Sequence, residues 1–456
     1  MVRVGRSLCR GLGTTGDWLP PADLPPGGGA LKKARFGTRG SRPSLLNTLP
    51  IWFNNAMVQD FRASSPRAGR YVRQLTGYSA FIPAPLPPDP PLQLGPLVPL
   101  LSHADQAIGR LDGVGRTLPN PDLFVAMYVR REAVLSSQIE GTQSSLDDVL
   151  AFELDGTRTR FPDDVAEVVN HVTAMNYGLQ RLETLPLSLR LIREIHERLL
   201  EGVRGSAKDP GEFRRSQNWI GPPGCTLMDA THVPPRVPEM MQCLDAFEKF
   251  LHAESPFPAL VRMALIHYQF EAIHPFLDGN GRVGRLLISL LLCHDGLLSE
   301  PLLYLSAYFE RQRHEYYRLL LTVSRTGDWP RWIEFFLTGV AEQSQDAIRR
   351  TARLLELWKT YRRMFESARS SALLLTLVDD LFECPVLSVP KAARRLKVTQ
   401  RSASLNIMKL VNAGILVEAT GRERHRLFVC HGIIDAIEAQ ESACRPDESS
   451  IRREGG

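Results

Sequence analysis

The chain has 456 residues, of which 43% are hydrophobic and 23% charged, and a formal net charge of +5. Such values exclude wholesale disorder and fibrous repeats, allow a sizeable core with two or three domains, and permit a polyanionic partner without requiring one. The cysteines (Cys9, Cys225, Cys243, Cys293, Cys384, Cys430 and Cys444) are scattered, with no CxxC or Cys/His zinc spacing, which predicts reduced thiols in a cytoplasmic setting.

Residues 1–56, with "LPPADLPPGGGALKKARFGTRGSRPS", are rich in Pro, Gly and basic residues and lack apolar periodicity. They are expected to be disordered or a non-native extension, with Met57 as an alternative start and no secretory signal. Residues 57–119, with "FIPAPLPPDPPLQLGP", read as an extended proline-rich strap. A mainly α pattern begins at 120. "NPDLFVAMYVRREAVLSSQIEG" offers Asn120 as cap, Pro121 in the first turn and Gly141 as terminator, with Phe124, Met127, Tyr128, Leu135 and Ile139 on one side.

Further helices are predicted near 163–183, 187–203, 237–252, 257–273, 281–295, 307–324 and 329–365. A small β-hairpin is predicted within "GEFRRSQNWIGPPG", 211–224. The most apolar run, "LLISLLLC" from Leu286, falls short of the roughly 20 residues that span a bilayer and reads as a buried helix, so no membrane contact is expected. From 370 to 440, three short helices and two strands around a polar turn give a winged helix-turn-helix pattern. The tail 441–456 should be loose.

The densest chemistry lies in "HPFLDGNGRVGR", 274–285. Pro275 ends the preceding helix, so His274 stands at a helix-to-loop junction. Neutral imidazole can accept a proton from a hydroxyl. The loop "DGNG" and the start of the next helix turn backbone N–H donors inward and make an anion cradle. Arg282 and Arg285, three apart, can hold successive phosphates, and Asp278 can give one oxygen to Mg²⁺. Each part alone is common, but the continuous run describes phosphoryl or nucleotidyl transfer to a hydroxyl.

That run fits the signature HPFx[D/E]GNGRxxR of Fic (Fido) domain proteins at every fixed position. "EVVNHVTAMNYG", "LIREIHERLL", "GEFRRSQNWIG" and "GDWPRWIEFFLTGV" resemble other family segments, so the similarity covers roughly 120–340. The resemblance implies a mainly α Fic-type core with a small β-hairpin flap, and an adenylyltransferase that moves AMP from ATP to a Ser, Thr or Tyr hydroxyl of a target protein. It also implies His274 as base, Asp278 as Mg²⁺ ligand, and Gly279, Asn280 and Gly281 as the anion cradle. Arg282 would meet the β-phosphate and Arg285 the γ-phosphate, with Val283 and Gly284 completing the ATP-binding run.

Tyr316 and Tyr317 resemble the tyrosines on the adenine side, and Trp219, Ile220 and Gly221 the flap, which can pair with an extended target segment or cover the nucleotide, with Ile220 and Gly221 counted among the implied ATP-binding residues. His267 is expected to be a hydrogen-bonded core residue, and Glu271 a charge on the helix surface.

"SSQIEG", 136–141, fits the family's inhibitory signature [S/T]xxxE[G/N], which implies that Glu140 pairs with Arg285, supported by Ser136 and ended by Gly141. On this reading, 120–165 is an N-terminal helical region with the inhibitory helix, 166–340 the core, 341–369 a linker helix and 370–440 the winged helix-turn-helix. Thr399 would cap a recognition helix, and Arg422, Arg424 and Arg426 would line its wing, so DNA is one partner the residues leave open. Self-modification, homodimerisation and a DNA-binding regulator that senses nucleotide without transfer also stay open.

Overall fold

A computed structural model describes residues 65–155, 163–366, 371–421 and 426–438. The expected extension at 1–56, the start at Met57, the tail 441–456, and Arg422 and Arg424 lie outside the described residues.

The strap is not uniformly extended. Gly69–Arg73 (β1) and Ser79–Pro83 (β2) form an antiparallel hairpin with Tyr71 opposite Phe81, and Val98–Arg116 is a helix (α1). The run of prolines hid that helix in the sequence, yet a proline in the first turn is compatible with a helix start, and buried Ala104, Ala107, Ile108 and Leu111 recur at helical spacing.

Pro121–Ile139 (α2) follows an extended Asn120 whose side chain makes no capping bond, so the preset φ of Pro121 fixes the start instead of the expected cap. Leu146–Asp155 (α3), unforeseen in the sequence, leads to Asp163–Leu182 (α4), Leu189–Leu199 (α5), Val237–His252 (α6), Ala259–Ile273 (α7) and Asn280–His294 (α8). The segment expected as one helix near 307–324 is broken at Gln312 into Ser306–Arg311 (α9) and Arg313–Thr326 (α10). Trp329–Arg363 (α11) buries Trp329, Trp332 and Phe336 and packs along α1.

The "LLISLLLC" run lies inside α8, with Leu286, Leu287, Leu290, Leu291 and Leu292 buried. Among the described residues no helix is long and apolar enough to cross a membrane. α8 packs against α2, α4, α5 and α7, so side chains on its first turn are within reach of all four. That placement decides where the site can form.

The expected hairpin within 211–224 is displaced. Ile220 pairs with His232 through N–H donations of 2.8 and 3.0 Å in the two directions, so the turn spans 221–231. Pro222 and Pro223 end the first arm early, and β2 extends the second, because Phe81 N–H donates to the Val233 carbonyl at 2.8 Å.

At the C-terminal end, Ser371–Glu383 (α12), Val386–Ser388 (β3), Val389–Leu396 (α13), Gln400–Asn412 (α14), Val417–Glu418 (β4), Leu427–Val429 (β5) and His431–Glu438 (α15) surround an antiparallel sheet of order β3-β5-β4. β3 and α15 add to the sequence expectation. Thr399 caps α14 by accepting from Ser402 N–H at 3.2 Å. The Arg130 guanidinium donates to the Glu383 carbonyl at 3.1 Å and α15 packs on α11, so these elements rest on the helical core.

Candidate active site

The site begins with a backbone reversal. α7 stops where His274 enters the left-handed region (φ 48°, ψ 61°), which a residue with a Cβ rarely adopts. Pro275 cannot prolong the helix, and Gly279 (φ 77°) opens α8. The loop between them is held by side chains from elsewhere. The Arg214 Nε donates to the His274 carbonyl at 3.0 Å, and Asn218 Nδ2 donates to the carbonyls of His274 and Phe276 at 3.2 and 2.8 Å.

His196 Nδ1 accepts from Gly211 N–H at 2.9 Å, which leaves the proton on Nε2 to be donated to the Asp278 carbonyl at 3.0 Å. Its ring stacks on Phe276 at 3.7 Å. Arg214, Asn218 and His196 were not singled out in the sequence. Their side chains lie far from 274–285 along the chain, and only the segments "GEFRRSQNW" and "EIHERL" hinted at them.

The His274 imidazole is half-buried, with Nδ1 3.3 Å from the Glu271 carbonyl. Donation there keeps the Nε2 lone pair free for a proton. Burial, with repulsion from His232 and Arg214, lowers its pKa to about 4, against the pull of the Glu271 carbonyl and Glu140, so the ring is neutral at pH 7.

Arg282 and Arg285 are both buried, each 2% exposed. The Arg282 fork donates to Glu167 Oε2 at 2.9 Å and to Asp278 Oδ1 at 3.3 Å. The Arg285 fork donates through Nε to Ser136 Oγ at 2.9 Å, and through Nη2 to the Ser136 carbonyl at 2.9 Å and Glu140 Oε1 at 2.7 Å.

Burial alone would raise the Glu140 carboxyl, but Arg285 first, then Arg282 and His274, hold it below its ordinary value. Of the 274–285 run, Arg285 is the group bonded to this carboxylate at the end of α2. Gly281 makes room for it: a Cβ there would stand 2.2 Å from Glu140 Oε1. Gly141 (φ 99°) turns the chain away behind it.

Several expected contacts are placed differently. The Asn280 side chain closes the loop, accepting from Phe276 N–H at 2.8 Å and donating to the Phe276 carbonyl at 2.9 Å. Only its backbone, with the other N–H groups of the first turn of α8, remains for an anion. The Val283 side chain is fully buried in the core and does not line the cleft.

Tyr316 is 1% exposed and its hydroxyl bonds His267 Nε2 at 2.9 Å, while His267 Nδ1 meets the Gly284 carbonyl at 3.0 Å. Since a carbonyl can only accept, His267 donates to Gly284 and accepts from Tyr316, so this tyrosine supports α8 from below and has no hydroxyl left for a base. Burial raises the Tyr317 phenol well above its ordinary value, with Glu140 and Arg285 among its charged neighbours.

Glu271 is not a surface charge. It is half-buried, with Oε1 turned inward and unpartnered, and a Cβ on Gly284 would stand 2.4 Å from that atom. Helix position alone did not reveal this, because the side of α7 that meets α8 depends on the tertiary packing.

Asp278 Oδ1 accepts from Gly279 N–H at 2.6 Å and from Arg282, while Oδ2 faces Gly205, whose missing Cβ would stand 3.1 Å away. Among the described residues no group of three or more His, Cys, Asp or Glu side chains could form a metal cage. A partly exposed carboxylate with one open oxygen fits Mg²⁺ held mainly by phosphate oxygens and water. Over the cleft stands the flap, where Ile220 pairs with His232, Gly221 has a missing Cβ that would stand 2.5 Å from Cys225 Sγ, and Trp219 is 43% exposed.

Two family models match the chain: residues 98–180 the one described as Fic/DOC family N-terminal, and residues 186–292 the one described as Fic/DOC family. Residues 98–180 and 186–292 are thus similar to the N-terminal and Fic regions of that family. A protein adenylyltransferase Fic of Drosophila yakuba is 31% identical over 204 residues, and that of Drosophila virilis likewise; the match covers 43% of this chain and 35% or 36% of the relative. The chain therefore spans about a third of the length of these curated relatives.

Among solved structures, a Fic family protein from Desulfovibrio desulfuricans G20 aligns with a TM-score of 0.48 and 20% identity over 75% of this chain and 97% of that one. Fic-1 from C. elegans aligns with a TM-score of 0.42 and 24% identity over 57% and 75%.

Proposed function

We propose that the protein is an adenylyltransferase that moves AMP from ATP to a Ser, Thr or Tyr hydroxyl of a target protein, and that Glu140 inhibits it by pairing with Arg285. The observation that carries this reading is the pairing of the Arg285 fork with the Glu140 carboxylate, an anion held against the first turn of α8 where a polyphosphate would lie. The relatives named protein adenylyltransferase supply the reaction class.

In the proposed reaction the target hydroxyl gives its proton to His274 Nε2 while its oxygen bonds the α-phosphorus. The bond from that phosphorus to the α,β-bridging oxygen breaks, and pyrophosphate leaves. The neutral ring is ready to accept the proton, and the added negative charge of bound nucleotide raises its basicity from the low resting value. The first turn of α8 and the two guanidinium forks neutralise the phosphates, so the protein contributes position and charge. Asp278 would hold Mg²⁺, which when bound neutralises phosphate oxygens. The flap edge at Trp219 and Ile220 suits strand pairing with the target.

Incubation with ATP labelled on the α-phosphate tests the proposal. The Glu140→Gly variant should label itself or added protein strongly, and Glu140→Gly with His274→Ala should not. Equal labelling by both would remove His274 as base.

A second reading, a nucleotide-sensing regulator that binds DNA, draws on the α13–α14 pair. We infer a winged helix from the element order and the β3-β5-β4 sheet. Arg394, Lys397, Gln400 and Arg401 are exposed on or beside that pair, and Arg426 of the predicted wing lies over the Phe428 ring. Binding to duplex DNA that weakens steeply with salt and is lost in Arg394→Glu/Arg401→Glu would support it. A pure sensor has no use for a free His274 Nε2, which favours transfer.

A further inference from the structure

Glu271 stands in the cleft without a role in the reaction as written. It lies in the last turn of α7, three residues before His274, and its carbonyl faces His274 Nδ1. Its carboxyl rests against the bare Cα of Gly284 on α8, with Oε1 shut off from solvent and lacking any hydrogen-bond partner. The charged and titratable groups around it come from each neighbouring element: Arg285 from α8, Glu140 from the end of α2, and Tyr316 and Tyr317 from α10.

Arg285 does not satisfy this carboxyl, since its fork is turned to Ser136 and Glu140. An ionised carboxylate with one oxygen buried and without a donor, beside a second carboxylate, is disfavoured. Burial, together with the Glu140 charge and against Arg285, raises the Glu271 group to about 7. A neutral carboxyl carries an O–H donor, and the acceptor that would complete it at this position beside Arg285 is an anionic oxygen.

We propose that Glu271 is a nucleotide-positioning residue that enters the cleft as a neutral acid and donates its O–H to the polyphosphate chain beside Arg285. The inference rests on reading the cleft as a triphosphate site. Its consequence follows from charge: once ionised, the same carboxyl repels the phosphates and competes for the Arg285 fork, so nucleotide affinity falls as pH rises. Removing Glu140 withdraws one neighbouring charge and moves the Glu271 group down, and a bound polyphosphate moves it up. Binding therefore carries proton uptake between those two limits. The His274 ring, whose basicity bound nucleotide also raises, is untouched by a substitution at Glu271 and cancels when such a variant is compared with its parent.

The test uses the full chain with Glu140→Gly, so that the brake is absent, and α,β-methylene ATP, in which the bond broken in transfer cannot cleave. Calorimetry at about pH 6 and about pH 8.5 should show affinity falling on the order of tenfold more than in the same chain with Glu271→Gln, whose amide stays neutral. The ionisation of the nucleotide itself appears equally in both and cancels in the comparison. Infrared difference spectra of the Glu140→Gly chain near neutral pH give a reading independent of the Gln substitution: nucleotide addition should increase the protonated-carboxyl band.

Tight binding with equal pH slopes in the two proteins, or no change in that band on binding, overturns the role of Glu271 and leaves the cleft intact. Absence of binding in both proteins at either pH overturns the triphosphate reading itself, and the proposal with it.

Discussion

The loop from α7 to α8 and the end of α2 meet at Arg285, and they are built in opposite ways. The loop is local: its left-handed turn at His274, its Asn280 closure and its glycines all lie within 274–285, and most of its internal bonds join residues four apart or fewer. The α2 contact is remote, with Glu140 lying 145 residues from the guanidinium it meets. The loop's turn and closure, braced by Arg214, Asn218 and His196, do not depend on α2, so the loop can persist as an anion cradle whichever anion fills it. The remote part holds only as long as α2 stays docked, which makes it the part suited to regulation.

The strongest way to break this comparison is to remove the base. His274→Ala in the Glu140→Gly background should lower label transfer from ATP by about 10²- to 10⁴-fold, the ordinary contribution of a positioned acid–base group. Residual transfer near the parent rate would mean that the loop only binds.

Next in size, Glu140→Gly alone should raise transfer by roughly 5- to 150-fold, the usual range for coupling between two states. That gain should disappear in an Arg285→Ala background. A full gain there would show that Glu140 acts on something other than Arg285.

Ser136→Ala sharpens the remote side. Loss of the bond from Arg285 Nε should loosen the brake by about 1 kcal/mol, visible as roughly fivefold more labelling than the unsubstituted chain. No change would assign the docking to Glu140 and the Ser136 carbonyl.

The smallest expected effect concerns pH. The Glu140 carboxyl is held below its ordinary value, so its pairing is fully present above the usual carboxylate range and is lost only as pH falls through the lowered value. His274 becomes protonated in the same descent, at about pH 4. Mild acid, from about pH 7 to about pH 5, should therefore not activate the unsubstituted chain; a rise in labelling there would contradict the depressed carboxyl.

The same division explains what could be read without a structure. His274, Asp278 and the pair Arg282 and Arg285 were visible because a short run contains both the chemistry and the spacing that organises it. Helices with a clear apolar stripe, such as α4 and α11, were visible for a similar reason. What stayed hidden depends on distant packing. α1 was masked by prolines that start helices as readily as they extend a strap. The flap hairpin closes with His232 because β2 lends it an edge.

Tyr316 was expected on the adenine side, but its hydroxyl is committed to His267 beneath α8. Arg214, Asn218 and His196 reach the loop from other elements, so no spacing along the chain could announce them.

Gly281 and Gly284 give the first turn of α8 a face without side chains, and both carboxylates near Arg285 rest against it. Under the proposed function, inhibitor and nucleotide depend on one shared surface. A side chain added at Gly281 to dislodge Glu140 would also obstruct the phosphates, so inherited escape from the brake with activity intact has to come through changes in α2. Variants isolated for unrestrained transfer should therefore cluster around Ser136 and Glu140 and spare the glycines.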